Sequence, residues 1–193
     1  MTPSPRELPY PGARWWRFDF HTHTPASDDW NGHDRSNLPT PREWLLAYMA
    51  AEIDCVAVTD HNSGEWIDGL NNALADLDAE KPQGYRPLSL FPGIEISVNG
   101  GYHILGILDP SKRSDDLSRL LGACGYKGRL GCTDDVTEHS CLDVIAEIEK
   151  LGIAIPAHVD EACGLLQVVN SAGGNNAYLT IKKILDSKVL VAM

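Results

Sequence analysis

The sequence predicts an α/β fold whose mostly parallel sheet bends toward a barrel. Two observations predict it. Strand-like and helix-like stretches alternate along the chain, the order that gives parallel strands joined by helical crossovers. The residues best suited to bind metal or move protons, His21 and His23, Asp60 and His61, Glu95, and His158, fall at the C-terminal ends of the strand-like stretches or just beyond, where barrels place their chemistry. An open doubly wound sheet would gather such groups at its switch point, and no glycine-rich phosphate fingerprint follows the first strand.

The elements follow in order. Residues 17–23 alternate apolar and polar as a strand, and Thr40-Pro41 supplies the N-cap and first position of a helix running to about Ile53. Cys55 to Thr59 is a short apolar strand. A helix over about 64–79 places Trp66, Leu70, Ala73, Leu74 and Leu77 on one face, a core-facing stripe. Leu88 to Val98 and Tyr102 to Leu108 read as two strands of a hairpin around Asn99-Gly100-Gly101, whose residues tolerate positive φ. A helix over 114–123 leads into a glycine- and cysteine-containing loop over 124–139, where Lys127 and Arg129 are read as solvated rather than phosphate-binding. Leu142, Ile145, Ile148 and Leu151 mark another amphipathic helix, stopped by Gly152, and Ile153 to Ala157 is a strand ending at His158. A loop over 164–176, a helix from Ala177 to Asp186 and a strand from Lys188 to Ala192 complete the series.

Composition restricts the classes. With 193 residues, 43% of them hydrophobic, the chain suits one globular domain, here residues 15–193 after an N-terminal extension over 1–14. No apolar run is long enough to cross a membrane, and the proline-rich, polar N-terminus is unlike a signal peptide, so a cytoplasmic location is expected. Five cysteines without a compact framework fit reduced thiols. Cys124, Cys132, His139 and Cys141 lack the close Cys-x-x-Cys pair of a zinc knot, and Cys55 sits in an apolar strand. The net charge of −11 disfavours broad adhesion to nucleic acid but leaves a nucleic-acid substrate open, because carboxylates gathered around cations inflate the formal count.

The most informative feature is His21-Thr22-His23. Side chains alternate along a strand, so Asp19, His21 and His23 share one side while Phe18 and Phe20 pack on the other, and two imidazoles converge on one point suited to a divalent metal. His33 and His139 lie outside this frame and are expected to be exposed or locally hydrogen-bonded.

Four segments in order carry a family resemblance: His21-Thr22-His23-Thr24-Pro25-Ala26-Ser27-Asp28, Thr59-Asp60-His61-Asn62, Gly93-Ile94-Glu95 with His103, and Pro156-Ala157-His158. Together they resemble the polymerase and histidinol phosphatase (PHP) domains, over about residues 17–160. The resemblance implies a distorted (β/α)7-type barrel with up to three metal ions, Mn2+, Zn2+ or Fe2+. It implies His21, His23 and Glu95 on one metal, Glu95 bridging to a second held by His103 and His158, and Asp28 with His61 on a third. Asp60 would stand behind them, orienting an imidazole through a hydrogen bond. The family's closing Asp-x-His motif has no counterpart, since no histidine follows His158, and six strands are read where the family has seven. The barrel is therefore expected to be incomplete at the C-terminus, the chain reading as part of a longer one.

The implied chemistry is metal-dependent phosphoester hydrolysis, with metal-activated water attacking a phosphomonoester or phosphodiester and no Ser, Cys or Lys nucleophile. A bridging carboxylate such as Glu95 suits a two-metal clamp, and His21, His23, His61 and Glu95 are the residues expected to carry catalysis. The wording from Trp15 to Ser27 looks most like PHP domains fused ahead of a large ATPase, which would make nucleic acid and an ATPase module in the same longer chain natural partners. Two other readings stand beside this one. A catalytically silent PHP module with a docking or regulatory role would follow from the missing motif. An amidohydrolase-type barrel also opens with His-x-His, but it typically adds a bridging lysine on a middle strand and a late aspartate.

Overall fold

The fold is described from a computed structural model, over residues 15–30, 35–161, 164–165 and 182. Five strands and four helices occur among these residues: β1 (Phe18–Thr22), α1 (Pro41–Ala50), β2 (Cys55–Val58), α2 (Ile67–Glu80), β3 (Ser89–Val98), β4 (Tyr102–Leu108), α3 (Ser114–Ala123), α4 (Cys141–Glu149) and β5 (Gly152–Pro156). The sheet order is β1-β2-β3-β4-β5, a curled half-barrel. The expected helix over 177–186, strand over 188–192 and exposed His33 lie outside the described residues.

Local chemistry sets the boundaries. Thr40 caps α1 in a reciprocal box with Glu43, with Pro41 at the first helical position. Ser140 caps α4 by accepting from the Asp143 amide. The second helix begins at Ile67, three residues later than expected, with Trp66 at its N-cap, and Gly64 just before it lies against Leu117, where a Cβ would come within 2.7 Å. Its stripe behaves as read: Leu70 and Leu77 are fully buried, and Trp66, Ala73 and Leu74 pack against the same core. That core lies between the sheet and the helices and runs through Leu45, Met49, Val56, Ile94, Ile96, Ile104, Leu117 and Ile148. A second apolar cluster, Ala57, Leu105, Ile107 and Ala157 with Phe20, Phe91, Ile153 and Ile155, occupies the other side chains of the same strands, as alternation along a strand requires.

The sheet departs from a parallel barrel in one respect. The first three strands are parallel, but β4 runs antiparallel to both β3 and β5. A two-glycine turn explains it: Asn99-Gly100-Gly101, with φ of 121° and 82° at the glycines, returns the chain immediately as a hairpin, so no helical crossover intervenes. The reversal matters for the site, because it brings the start of β4 to the same end as the C-terminal ends of β1, β2, β3 and β5. His103, the second residue of β4, thereby reaches the histidines at the other strand ends.

Two hydroxyls join the strands beneath the site. Register between β1 and β2 shifts between Asp19 and Thr22, and there Thr22 Oγ1 donates to the Ala57 carbonyl at 2.9 Å while the Thr22 amide donates to Thr59 Oγ1 at 3.0 Å. Beyond Val58 the pairing with β3 resumes as a single bridge from His61 to Glu95, with the Asn62 amide donating to the Glu95 carbonyl at 2.8 Å and the Glu95 amide to the Asp60 carbonyl at 3.0 Å. His61 and Glu95 are thus positioned by backbone before any side chain acts.

Candidate metal centre

Glu95 is the centre of the site. Its side chain is fully buried near the end of β3, and burying a carboxylate without compensation costs several kcal/mol. Compensation comes from imidazoles on four other segments. Ring nitrogens His21 Nε2 and His23 Nε2 donate to Oε2, each at 2.9 Å, and His61 Nδ1 lies 3.4 Å from the same oxygen. On the other oxygen, Oε1, His103 Nδ1 sits at 2.8 Å and His158 Nε2 at 3.1 Å. Burial raises the affinity of Glu95 for a proton, but the surrounding imidazoles outweigh it and hold the carboxyl well below the usual range.

A second carboxylate adds to this set. Asp29 Oδ1 accepts from His23 Nδ1 at 3.2 Å, and Asp29 Oδ2 lies 3.3 Å from His61 Nε2. His23 therefore spans both carboxylates, one at each ring nitrogen. Burial opposes its protonation, yet the hydrogen bonds to Asp29 and Glu95 push it up to about 10. Its bonds to His23 and His61 hold Asp29 well below the usual carboxylate range. The backbone of His23 is fixed from the helix layer, where Trp44 Nε1 donates to its carbonyl at 3.2 Å.

Of the expected residues, His21, His23, His61, Glu95, His103 and His158 converge on one pocket of about 320 Å3, lined also by Asp29, Thr133 and Glu161. Asp28 does not line it: its carboxylate pairs with the Arg129 guanidinium, and its amide donates to the Gly131 carbonyl at 2.9 Å. The neighbouring Asp29 stands beside His61 instead. Two adjacent aspartates in a turn offer opposite directions, and spacing alone does not say which one faces inward. Asp60 also differs from its expected role. Rather than orienting an imidazole, it accepts from the Thr24 amide and Thr24 Oγ1, both at 2.6 Å, and from Ser27 Oγ at 2.9 Å. Ser27 Oγ in turn accepts from the His61 amide at 2.9 Å, so Asp60 ties the turn that follows β1 to the end of β2. Burial pushes the Asp60 carboxyl up against the pull of those donors.

Asn62 has an equally structural part. It is fully buried with φ of 46°, a left-handed conformation asparagine tolerates better than most residues. Its Oδ1 accepts from the Ser97 amide at 3.1 Å, while its Nδ2 faces the Cys132 carbonyl at 2.9 Å and the Asp135 carbonyl at 3.1 Å. The loop bearing Thr133 is thereby fastened over the end of β3. Arg129 and Lys127 are taken by Asp28 and Glu138, in line with a solvated role, and His139 is exposed.

The donor set fits divalent metal ions. Three groups of ligand atoms lie within 4.8 Å of one another: His21, His23 and Glu95; His23, Asp29 and His61; and His61, Glu95 and His103. Among the described residues, Nδ1 of His61 is buried without a hydrogen-bond partner on the Glu95 side of the ring, a cost that a cation there would relieve. None of these groups includes a cysteine, and Cys124, Cys132 and Cys141 are each buried.

No family model matches the chain, and no curated protein matches it. Solved structures do. A candidate metal-dependent phosphoesterase from Bifidobacterium adolescentis superposes with a TM-score of 0.52 at 17% identity, covering 76% of this chain and 68% of that one. An amidohydrolase from Chromobacterium violaceum, solved with bound sulfate and no metal, gives a TM-score of 0.48 at 22% identity, covering 88% of this chain and 72% of that one. The first likeness is one of fold. No helix among the described residues is long and apolar enough to cross a membrane.

Proposed function

We propose that this protein is a metal-dependent phosphoesterase that hydrolyses its ester with water. The observation that carries the reading is the convergence of five imidazoles and the carboxylates of Glu95 and Asp29, from six segments, on one pocket at the strand ends. His21, His23 and Glu95 would hold one cation, Glu95 with His103 and His158 a second, and Asp29 with His23 and His61 a third. Such ions supply Lewis acidity toward phosphoryl oxygens and lower the pKa of water at neutral pH.

The chain's own contribution is order and polarity. Glu95 Oε2 serves the β1 and β2 imidazoles while Oε1 serves those of β4 and the β5 end, so one side chain fixes the spacing of both halves. His21 is the most open of the imidazoles bonded to Glu95, with 34% of its side chain exposed. Among the described lining residues there is no serine, cysteine or lysine, and Thr133, the one hydroxyl, has no ring nitrogen bonded to it to act as its base. Water is therefore the nucleophile, as the ligand arrangement favours.

The test combines metal content by mass spectrometry with Mn2+-dependent hydrolysis of p-nitrophenyl phosphate and bis-p-nitrophenyl phosphate. The wild-type chain is expected to retain metal and cleave at least one ester, and Glu95→Gln to lose both together. Metal-free wild-type protein, or hydrolysis unchanged in Glu95→Gln, would overturn the assignment.

A further inference from the structure

The rim of the pocket says what the rest of the substrate can be, granted that the site binds a phosphoryl group as proposed. Beyond the ligand-type residues, the described lining adds only Thr133 and Glu161. No lysine or arginine is among them. The arginines closest in sequence to the site loops are committed elsewhere: Arg129 to Asp28, and Arg35 to the carbonyls of Pro25 and Ser27 at 2.8 and 3.0 Å. Sites that accept several phosphates usually add arginine or lysine for the ones that do not react, because each carries charge that must be met.

Glu161 acts in the opposite sense. It is exposed, lines the pocket together with His158, and follows the β5 end by one tight turn, with its amide donating to the His158 carbonyl at 2.9 Å. A carboxylate in that position repels a second anionic group on the bound molecule. Thr133 is held in place by the Asn62 and Ser97 fastening, with Ser97 Oγ donating to its carbonyl at 3.1 Å. Its hydroxyl has no partner among the described residues and so is free to bond a neutral polar group.

We infer that Glu161 and Thr133 restrict the site to esters with a single phosphoryl group and a neutral or cationic polar remainder, and exclude substrates that carry a second phosphate.

The measurement is isothermal titration of the Mn2+-loaded full chain with glucose 6-phosphate and with fructose 1,6-bisphosphate, in wild type and in Glu161→Gln. The monophosphate is expected to bind at least tenfold more tightly than the bisphosphate. In Glu161→Gln that ratio is expected to narrow by threefold or more, and in Thr133→Val monophosphate binding should weaken by threefold or more. Equal affinities in wild type, or a ratio unmoved by Glu161→Gln, would overturn the inference while leaving the phosphoesterase reading intact. Binding of neither sugar phosphate would overturn both.

Discussion

Within the site, Glu95 and Asp60 separate two kinds of buried acid. Glu95 faces imidazoles and Asp60 faces hydroxyl and amide donors, so their replacement should fail differently. Glu95→Gln is expected to reduce metal occupancy by tenfold or more, read by mass spectrometry after dialysis. Asp60→Asn should instead cost about 1–3 kcal/mol in urea denaturation with a smaller loss of metal, because it leaves donors of Thr24 and Ser27 poorly matched. A third acid group gives a clean pH prediction. Burial pushes the Cys124 thiol from its ordinary value near 9 up to about 12. The unfolded thiol ionises first, so this contribution to stability is complete below pH 9 and is lost as pH rises toward 12. Urea midpoints of wild type and Cys124→Ala should therefore converge across that window, and parallel curves would contradict the argument. At this scale the histidines and Glu95 were legible, because His-x-His on a strand and a lone acid in an apolar run have few uses. The choice of Asp29 over Asp28 was not, since it depends on Arg129, which lies 101 residues from Asp28 in the chain.

Among the elements, the helices were readable because caps and apolar stripes are local. Thr40→Ala removes a reciprocal cap and should cost about 0.5–2 kcal/mol in chemical denaturation, with metal content unchanged because α1 contributes no residue to the pocket lining. The stretch 124–139 was read as a loop, but the attachment of its 128–135 portion was invisible in the sequence. Asn62 fastens it with a left-handed backbone and a buried amide, neither of which has a sequence pattern. Asn62→Ala should loosen it, giving faster proteolytic cleavage between 128 and 135 in the native protein. An unchanged cleavage rate would mean that the Asp28 and Arg129 pair suffices.

For the whole molecule, the metal ions and the fold should be coupled, because ligands from β1, the turn after it, β2, β3, β4 and the β5 end meet at one point. Chelation is expected to lower the melting temperature by several degrees, and restoring Mn2+ to recover it, as calorimetry would show. The parallel sense of β1, β2 and β3 was implied by strand and helix alternation, and the antiparallel β3–β4 pair by the Asn99-Gly100-Gly101 turn, whereas the antiparallel pairing of β5 on the other side of β4 has no local signal. What the reversal contributes is His103, placed at the shared end by a strand that runs the other way.

The close approach at Gly93 carries a last consequence. A Cβ there would stand 2.8 Å from the Val58 carbonyl and 3.0 Å from the Gly106 carbonyl, so three strands are drawn together two residues before Glu95. With Glu95 also bonded through its amide and carbonyl to Asp60 and Asn62, its main chain is held on both sides. The reach of its carboxylate is thus measured from a fixed point in the sheet, and a larger residue at Gly93 would be felt at every imidazole that the carboxylate gathers.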